Sequence, residues 1–192
     1  AGQHYHFEDL SVTPKPHQKP HPPIWIGAST PGGVRRAAQW GSALVASPRH
    51  HLNELKEHYR LYRQQLERFN KIANVTPVIR EVYVAETTQK AEEEARAGIM
   101  YIHGGMYGKW AKVRPLRDDS GQVVENPDSV TFETHRERFI IGDPGHCIGE
   151  IEKYQRELGM DYLICWMHYP GADHDKSVRS MRLFAKEVMP HF

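Results

Sequence analysis

Short apolar runs alternate with amphipathic stretches along most of this chain. The first run, Ile24-Trp25-Ile26, is entered through Pro22-Pro23 and ended by Gly27, a length and boundary that read as a strand. Thr30 then stands where it can cap a helix whose first position is Pro31, the place where proline is best tolerated. That helix is expected to run through Arg35 to Trp40 and stop at Gly41, before a second strand, Ala43 to Ser47, broken by Pro48. Leu52, Leu55, Tyr59, Tyr62, Leu66 and Phe69 then recur at three- and four-residue steps with charged residues between them, a helical stripe. A strand from Val78 to Ala85 leads to a helix capped by Thr87 or Thr88, running from Ala91 to about Tyr101. Near the end, Asp143-Pro144 opens a helix with Cys147, Ile148, Ile151, Tyr154 and Leu158 on one face and Gly159 as its stop. A buried strand from Asp161 to Met167, a Pro170-Gly171 turn and a helix from Asp175 to Val188, with Met181, Phe184 and Val188 inward, complete the pattern.

Residues 103–136 break this regularity. Gly104, Gly105, Gly108, Pro115, Gly121 and Pro127 are scattered through them with Asp118-Asp119-Ser120, so they read as a long insertion, expected to be mobile because it buries little apolar area. The order is therefore β-α-β-α-β-α, insertion, α-β-α. Residues 1–192 read as a single partial-barrel domain: an extended lead-in at 1–23, three β/α units at 24–102, the insertion at 103–136 and a last β/α unit at 137–192. Strands alternating with helices call for a parallel α/β sheet. Half of a TIM (β/α)8 barrel and a small doubly wound sheet both satisfy the pattern, and no G-x-G-x-x-G follows a strand to favour a dinucleotide fold.

Composition narrows the function classes. A net charge of +1 over 192 residues argues for neither nucleic acid nor an anionic membrane, and no apolar run is long enough to span a bilayer. Nothing at the start reads as a signal peptide, so the expected compartment is the cytoplasm. The opening at Ala1, without Met, suggests a fragment or processed product. Cys147 and Cys165, the two cysteines, read as reduced core thiols. Among the 13 histidines, His4, His6, His17, His21, His50 and His51 invite a metal reading, but none of the spacings orients ligands, and no metal is expected.

Four stretches carry a resemblance. They are Val12-Thr13-Pro14-Lys15-Pro16-His17-Gln18 leading to Pro22-Pro23-Ile24-Trp25-Ile26-Gly27, with Ser29 and Arg36-Ala37-Ala38 after it; Phe139-Ile140-Ile141-Gly142-Asp143-Pro144; Gly159-Met160-Asp161-Tyr162-Leu163 leading to Pro170-Gly171; and Leu183-Phe184-Ala185-Lys186-Glu187-Val188-Met189-Pro190. In this order the chain resembles the C-terminal half of a bacterial-luciferase-like flavin-dependent monooxygenase, with the first four β/α units of the barrel absent. The resemblance implies an oxygenase in which reduced FMN, supplied by a separate flavin reductase, and O2 act on a small organic substrate. It also implies that the lacking half comes from another chain or a second copy, and that the catalytic residues lie there. A deazaflavin-dependent oxidoreductase on the same fold, or a flavin-binding protein without turnover, are the alternatives.

A parallel barrel places its site at the C-terminal ends of the strands. Gly27, Ala28, Ser29 and Thr30 form the first such end, where a hydroxyl pair meets a helix N-terminus suited to phosphate; the resemblance likewise implies flavin phosphate contact at Ser29. Arg35 and Arg36 lie a turn into the helix and read as a solvated face. Trp166 and His168, at the end of the last strand, are candidates for the substrate pocket, His168 as an acid/base group. His103, ahead of the glycines, falls where a lid would begin. The inner face of the barrel is expected to carry Trp25, Val45, Val82 and Ile164.

Overall fold

A computed structural model of the chain describes residues 2–110, 116–118, 120–126 and 129–192; Pro115, Asp119 and Pro127 of the expected insertion lie outside the described residues. Residues 2–23 carry no helix or strand, as their prolines dictate. The regular part follows as β1 (Trp25–Gly27), α1 (Pro31–Trp40), β2 (Ala43–Val45), α2 (Leu52–Arg68), β3 (Pro77–Val84) and α3 (Thr88–Met100). After α3 come a π-helix at Tyr101–Tyr107, α4 (Gly108–Trp110), β4 (Leu116–Arg117), β5 (Val123–Val124) and a 3-10 helix at Glu133–Arg138. The chain closes with β6 (Ile140–Gly142), α5 (Pro144–Leu158), β7 (Tyr162–Trp166), α6 (His174–Leu183), a π-helical stretch at Phe184–Val188 and a 3-10 turn at Met189–His191.

The helix ends follow local chemistry. Thr30 accepts from the Gly33 N–H at 3.2 Å, Thr87 from Lys90 at 3.2 Å and Asp143 from His146 at 3.0 Å, each satisfying a donor the helix ladder cannot reach. Gly159 ends α5 at φ +68°, a left-handed conformation that glycine adopts without steric cost.

The strands pair in parallel. Trp25, Ile26 and Gly27 stand opposite Ala43, Leu44 and Val45. A bridge from Ala46 to Val78 carries the arrangement on to β3, whose other edge takes β7, with Pro77 opposite Tyr162 and Glu81 opposite Trp166. β1 and β7 are thus outer strands, as half of a barrel requires. The Phe139–Pro144 segment, expected as a turn, adds a strand: Ile140–Gly142 pairs in parallel with Val82–Val84. The small β4–β5 ladder is antiparallel.

Alternation along the strands separates two faces. Leu44, Ala46, Val78, Val82 and Ile140 join Ile26, Leu163 and Cys165 on one face, packed against α1, α2, α5 and the Phe184–Val188 stretch. The register sends Trp25, Val45, Ile79, Glu81, Tyr83, Ile141, Tyr162, Ile164 and Trp166 to the other. Val82, expected on this inner face with Trp25, Val45 and Ile164, is on the helix side; the run Val82-Tyr83-Val84 is apolar throughout and gives no phase to read. Trp25 and Tyr162, from the two outer strands, meet edge to face across the inner side with ring centroids 5.1 Å apart. Tyr162 is still half exposed, and Ile164 and Cys165 are only partly buried, so β7 is not the fully buried strand expected.

α3 lies apart from the helices of the outer face: its Ala91, Ala95 and Ile99 pack with Tyr83, Ala85, Ile141, Phe132 and Phe139 on the inner side. α5 is the helix that covers the crossover from β3 to β7. And residues 103–110 continue the helix through Gly104, Gly105 and Gly108 instead of opening a loop, because Ile102, His103 and Tyr107 are buried and packing outweighs the roughly 1 kcal/mol that each helical glycine costs. In α6, Met181 is exposed, while Phe184 and Val188 beyond it are buried.

Candidate active site

At the C-terminal ends of β1 and β2 lies a cavity of about 360 Å³ lined by Gly27, Ala28, Ser29, Thr30, Gly33, Arg36, Val45, Ala46, Ser47, Pro48 and Ile79. The sequence-derived candidates Gly27 to Thr30 therefore share one concavity. Arg36, expected on a solvated face, is exposed but lines the same cavity. Gly33 is needed for closeness: a Cβ there would stand 2.9 Å from the Ala28 Cβ. The first turn of α1 is partly spoken for, since the Gly33 N–H goes to Thr30 Oγ1, the Val34 N–H to the Thr30 carbonyl at 2.8 Å, and Pro31 has no N–H. The Gly32 N–H is the first-turn donor that neither the cap nor the ladder takes among the described residues. In the cavity itself, the Ser29 hydroxyl, the Arg36 guanidinium and the positive end of the α1 dipole make a set suited to an anion.

Two buried arginines hold the loop that forms the far wall. Arg80, fully buried on β3, donates from Nε to Tyr154 Oη at 2.8 Å, from Nη1 to the Pro48 carbonyl at 2.8 Å and from Nη2 to the His50 carbonyl at 3.0 Å. Arg138, from the 3-10 helix, donates to the Arg49 carbonyl. Successive carbonyls at 48, 49 and 50 are thus gripped from two sides, which fixes where Ser47 and Pro48 present themselves to the cavity. Just beyond, burial lowers the pKa of His50 against the opposing pull of Glu54, whose Oε2 lies 3.2 Å from His50 Nδ1.

Behind this loop, on the inner face, Glu81 and His103 are fully buried and joined by a 2.9 Å contact between Glu81 Oε1 and His103 Nε2. His103 is ringed by Phe139, Tyr107 and His135, with centroids at 5.0, 5.2 and 5.7 Å. Burial, followed by the charge of Arg138, pushes His135 down to about 3. Burial, then the Glu81 charge, raise the pKa of Tyr107 to about 12, against a smaller opposing effect from Ser47.

Trp166 and His168 do not reach the cavity beside Gly27. Trp166 packs on the cluster around Tyr83 and donates from Nε1 to the His168 carbonyl at 2.8 Å, while His168, exposed, lies 3.2 Å from Ser177 Oγ at the start of α6. Cys147 and Cys165 are free thiols that burial holds up at about 12 and about 11, inert near neutral pH. Among the described residues no group of three or more His, Cys, Asp or Glu side chains is arranged to hold a metal ion, and no helix is long and apolar enough to cross a membrane. Arg80, Glu81 and Arg138 were missed by sequence reasoning; the adjacent Arg80-Glu81 inside an apolar strand was the available signal for the first two.

Residues 1–162 match the model of the luciferase-like monooxygenase family. The chain belongs to that family. Its similarity to the oxygenase component of the flavin-dependent trigonelline monooxygenase of Acinetobacter baylyi is 26% identity over 205 aligned positions, covering 100% of this chain and 54% of that protein. The fold of monooxygenase RslO1 from Streptomyces bottropensis superposes with a TM-score of 0.71 at 20% identity, covering 100% of this chain and 54% of that one. The oxygenating constituent of 3,6-diketocamphane monooxygenase from Pseudomonas putida, solved with FMN, gives a TM-score of 0.63 at 18% identity, covering 86% and 47%. Coenzyme F420-dependent enzymes also share the fold. The chain spans about half the length of the curated relatives it matches, and its fold is that of half a luciferase-like barrel.

Proposed function

We propose that this chain forms part of a flavin-dependent monooxygenase, with FMN as the cofactor and its phosphate held in the cavity beside Gly27–Thr30. The observation that carries this reading is the convergence of Ser29, Thr30 and Arg36 on one concavity at the strand ends, beside the N-terminus of α1, where a barrel enzyme places its ligand. The set fits a phosphate: one hydroxyl, one planar cation and a helix dipole, with Gly33 giving close approach. Gly27, Ala28 and Thr30 shape the cradle, and Thr30 holds it by capping α1. Bound there, FMN in its reduced form would supply the two electrons that activate O2, and the chain would orient it and keep water away. A separate reductase would deliver the reduced flavin, and the half-exposed inner face around Trp25, Tyr162 and Ile164 would be closed by a complementary half-barrel or a second copy, which light scattering measures.

Equilibrium titration of FMN against the purified chain tests the site. Ser29→Ala and Arg36→Gln should each weaken binding by about 1–2 kcal/mol, the scale of one charge-assisted hydrogen bond, or roughly 5- to 30-fold in Kd. Unchanged affinity in both variants would move the site elsewhere. Tighter binding of F420 than of FMN would favour a deazaflavin oxidoreductase on the same fold, and retained flavin without NADH-coupled O2 consumption would favour a binding protein.

A further inference from the structure

The far wall of the cavity, residues 47–50, is a tight turn, and His50 has three ties in it. Its N–H donates to the Ser47 carbonyl at 3.2 Å, and its carbonyl accepts from Arg80 Nη2 at 3.0 Å. Its buried ring sets Nδ1 3.2 Å from Oε2 of Glu54, in the first turn of α2. Ser47, which lines the cavity, accepts from the Arg49 N–H at Oγ, 3.4 Å away. An ionised carboxylate only accepts, so neutral His50 carries its proton on Nδ1 and presents a bare Nε2. That Nε2 is buried and has no hydrogen-bond partner among the described residues. A second proton would therefore stand on a buried nitrogen that meets no acceptor. The surrounding groups oppose it as well. On the turn itself are Arg49 and His51, with His51 Nε2 3.6 Å from the same Glu54 oxygen. From α2 the His58 ring faces His50, centroids 4.6 Å apart. Arg80 reaches in from β3, Arg138 holds the Arg49 carbonyl from the 3-10 helix, and Arg117 of β4 stands 3.7 Å from Glu54 Oε1. Of these groups Glu54 alone is an anion. Burial above all lowers the His50 pKa; Glu54 pulls the other way, and His58 and Arg49 add to the lowering.

We propose that His50 is a positioning residue for the cavity wall, and that the wall keeps its shape only while this imidazole is uncharged. A charged ring needs water or an acceptor at Nε2. With the N–H and carbonyl of His50 tied to Ser47 and Arg80, the ring cannot swing out without loosening the 47–50 turn, and Ser47 and Pro48 then leave the cavity. Acid thereby opens the site. The sign follows from linkage. Between the lowered value and the ordinary 6.5, the closed wall binds fewer protons than the open one, so closure strengthens as pH rises and is lost as pH falls below 6.5. One proton changes the ratio of closed to open by at most about tenfold per pH unit. A charged His50 acting by Coulomb attraction alone would do the reverse and tighten the hold on an anion, so the two effects differ in sign. That the ligand released is a flavin phosphate rests on the reading above; the coupling of His50 to the turn does not.

Hydrogen exchange at the Arg49 and His50 backbone amides of the flavin-free chain tests the coupling, corrected for intrinsic rate and referred to the amides of β3. Between about pH 7.5 and about pH 5, opening of the turn should rise at least about fivefold in the unaltered chain. In His50→Gln, whose side-chain amide can still donate to Glu54 but takes up no proton, it should rise less than about twofold. An equal rise in both chains, or none in either, overturns the proposal. If His50→Gln does not fold, NMR of the ¹⁵N-labelled unaltered chain decides. The Arg49 amide should lose protection with the same midpoint at which the His50 ring takes up its proton; a ring that charges while that amide stays protected overturns the proposal. A second arm titrates FMN at the two pH values. Its Kd should rise at least about fivefold more in the unaltered chain than in His50→Gln, a comparison in which the phosphate's own titration cancels. An equal or smaller rise overturns the wall's part in binding. A turn that opens with acid in a chain that binds FMN at neither pH keeps the role of His50 and discards the flavin reading of the cavity.

Discussion

Acidification should unfold this protein partly through one residue, His135. Its ring is fully buried against His103 and close to Arg138, with Nδ1 3.1 Å from Thr134 Oγ1 and Nε2 without a hydrogen-bond partner among the described residues. Burial first, then the Arg138 charge, depress it from the ordinary 6.5 to about 3. The folded state therefore binds fewer protons than the unfolded state between those values, so stability rises with pH in that window and is lost as pH falls through 6.5. Each pH unit inside the window costs up to about 1.4 kcal/mol. From pH 7 to pH 4.5 the loss attributable to His135 is at most about 2.5 kcal/mol, a large share of a typical domain's stability. Urea denaturation at both pH values, in the unaltered chain and in His135→Phe, isolates this contribution, because other groups such as His50 titrate in both. The variant should show a pH dependence shallower by about 1–2.5 kcal/mol. Equal pH dependence in the two chains would refute the assignment.

Arg80→Met should destabilise by about 3 kcal/mol in urea denaturation, since it strands the Pro48 and His50 carbonyls and the Tyr154 hydroxyl at roughly 1 kcal/mol each; a loss below about 1 kcal/mol would mean the loop does not depend on this grip. Gly98→Ala should lower the melting temperature although alanine is the better helix former by about 1 kcal/mol. A Cβ there would stand 2.5 Å from the Tyr169 Cβ and 3.1 Å from the Pro170 carbonyl, and such overpacking costs about 1–3 kcal/mol; a rise in melting temperature would show that the α3–Tyr169 contact yields.

What could be read from the sequence was what neighbouring residues decide. α5 could be bounded from Asp143, Pro144 and Gly159 because cap, first turn and stop are local chemistry, and the cavity residues Gly27 to Thr30 are contiguous. The strand phase of β3 could not, since Val78, Ile79, Val82, Tyr83 and Val84 are apolar on both faces and the sheet is covered on both sides there. The helical course through Gly104 and Gly105 was hidden for a different reason: local preference opposes it, and only contacts with Phe139 and Tyr83, distant in sequence, decide it. The pair Glu81–His103 spans 22 positions and the Arg138–Arg49 contact 89; no local pattern announces such contacts.

The segment taken for an insertion turns out to shape the site. Along β3 the inner face changes character. Near its start, Ile79 is partly exposed, and no helix lies over the edge-to-face pair of Trp25 and Tyr162 among the described residues. Toward its end, Glu81 and Tyr83 are buried because α3, the π-helix and residues 130–139 lie over them. The same covering segment supplies His103 and Tyr107, and through Arg138 it grips the loop that bears Ser47. A glycine-rich stretch that merely joined two barrel units would need none of these contacts. It buries a carboxylate, two imidazoles and a phenol at the end of the sheet where a parallel barrel places its ligands, so local glycines give way there to contacts made from far along the chain.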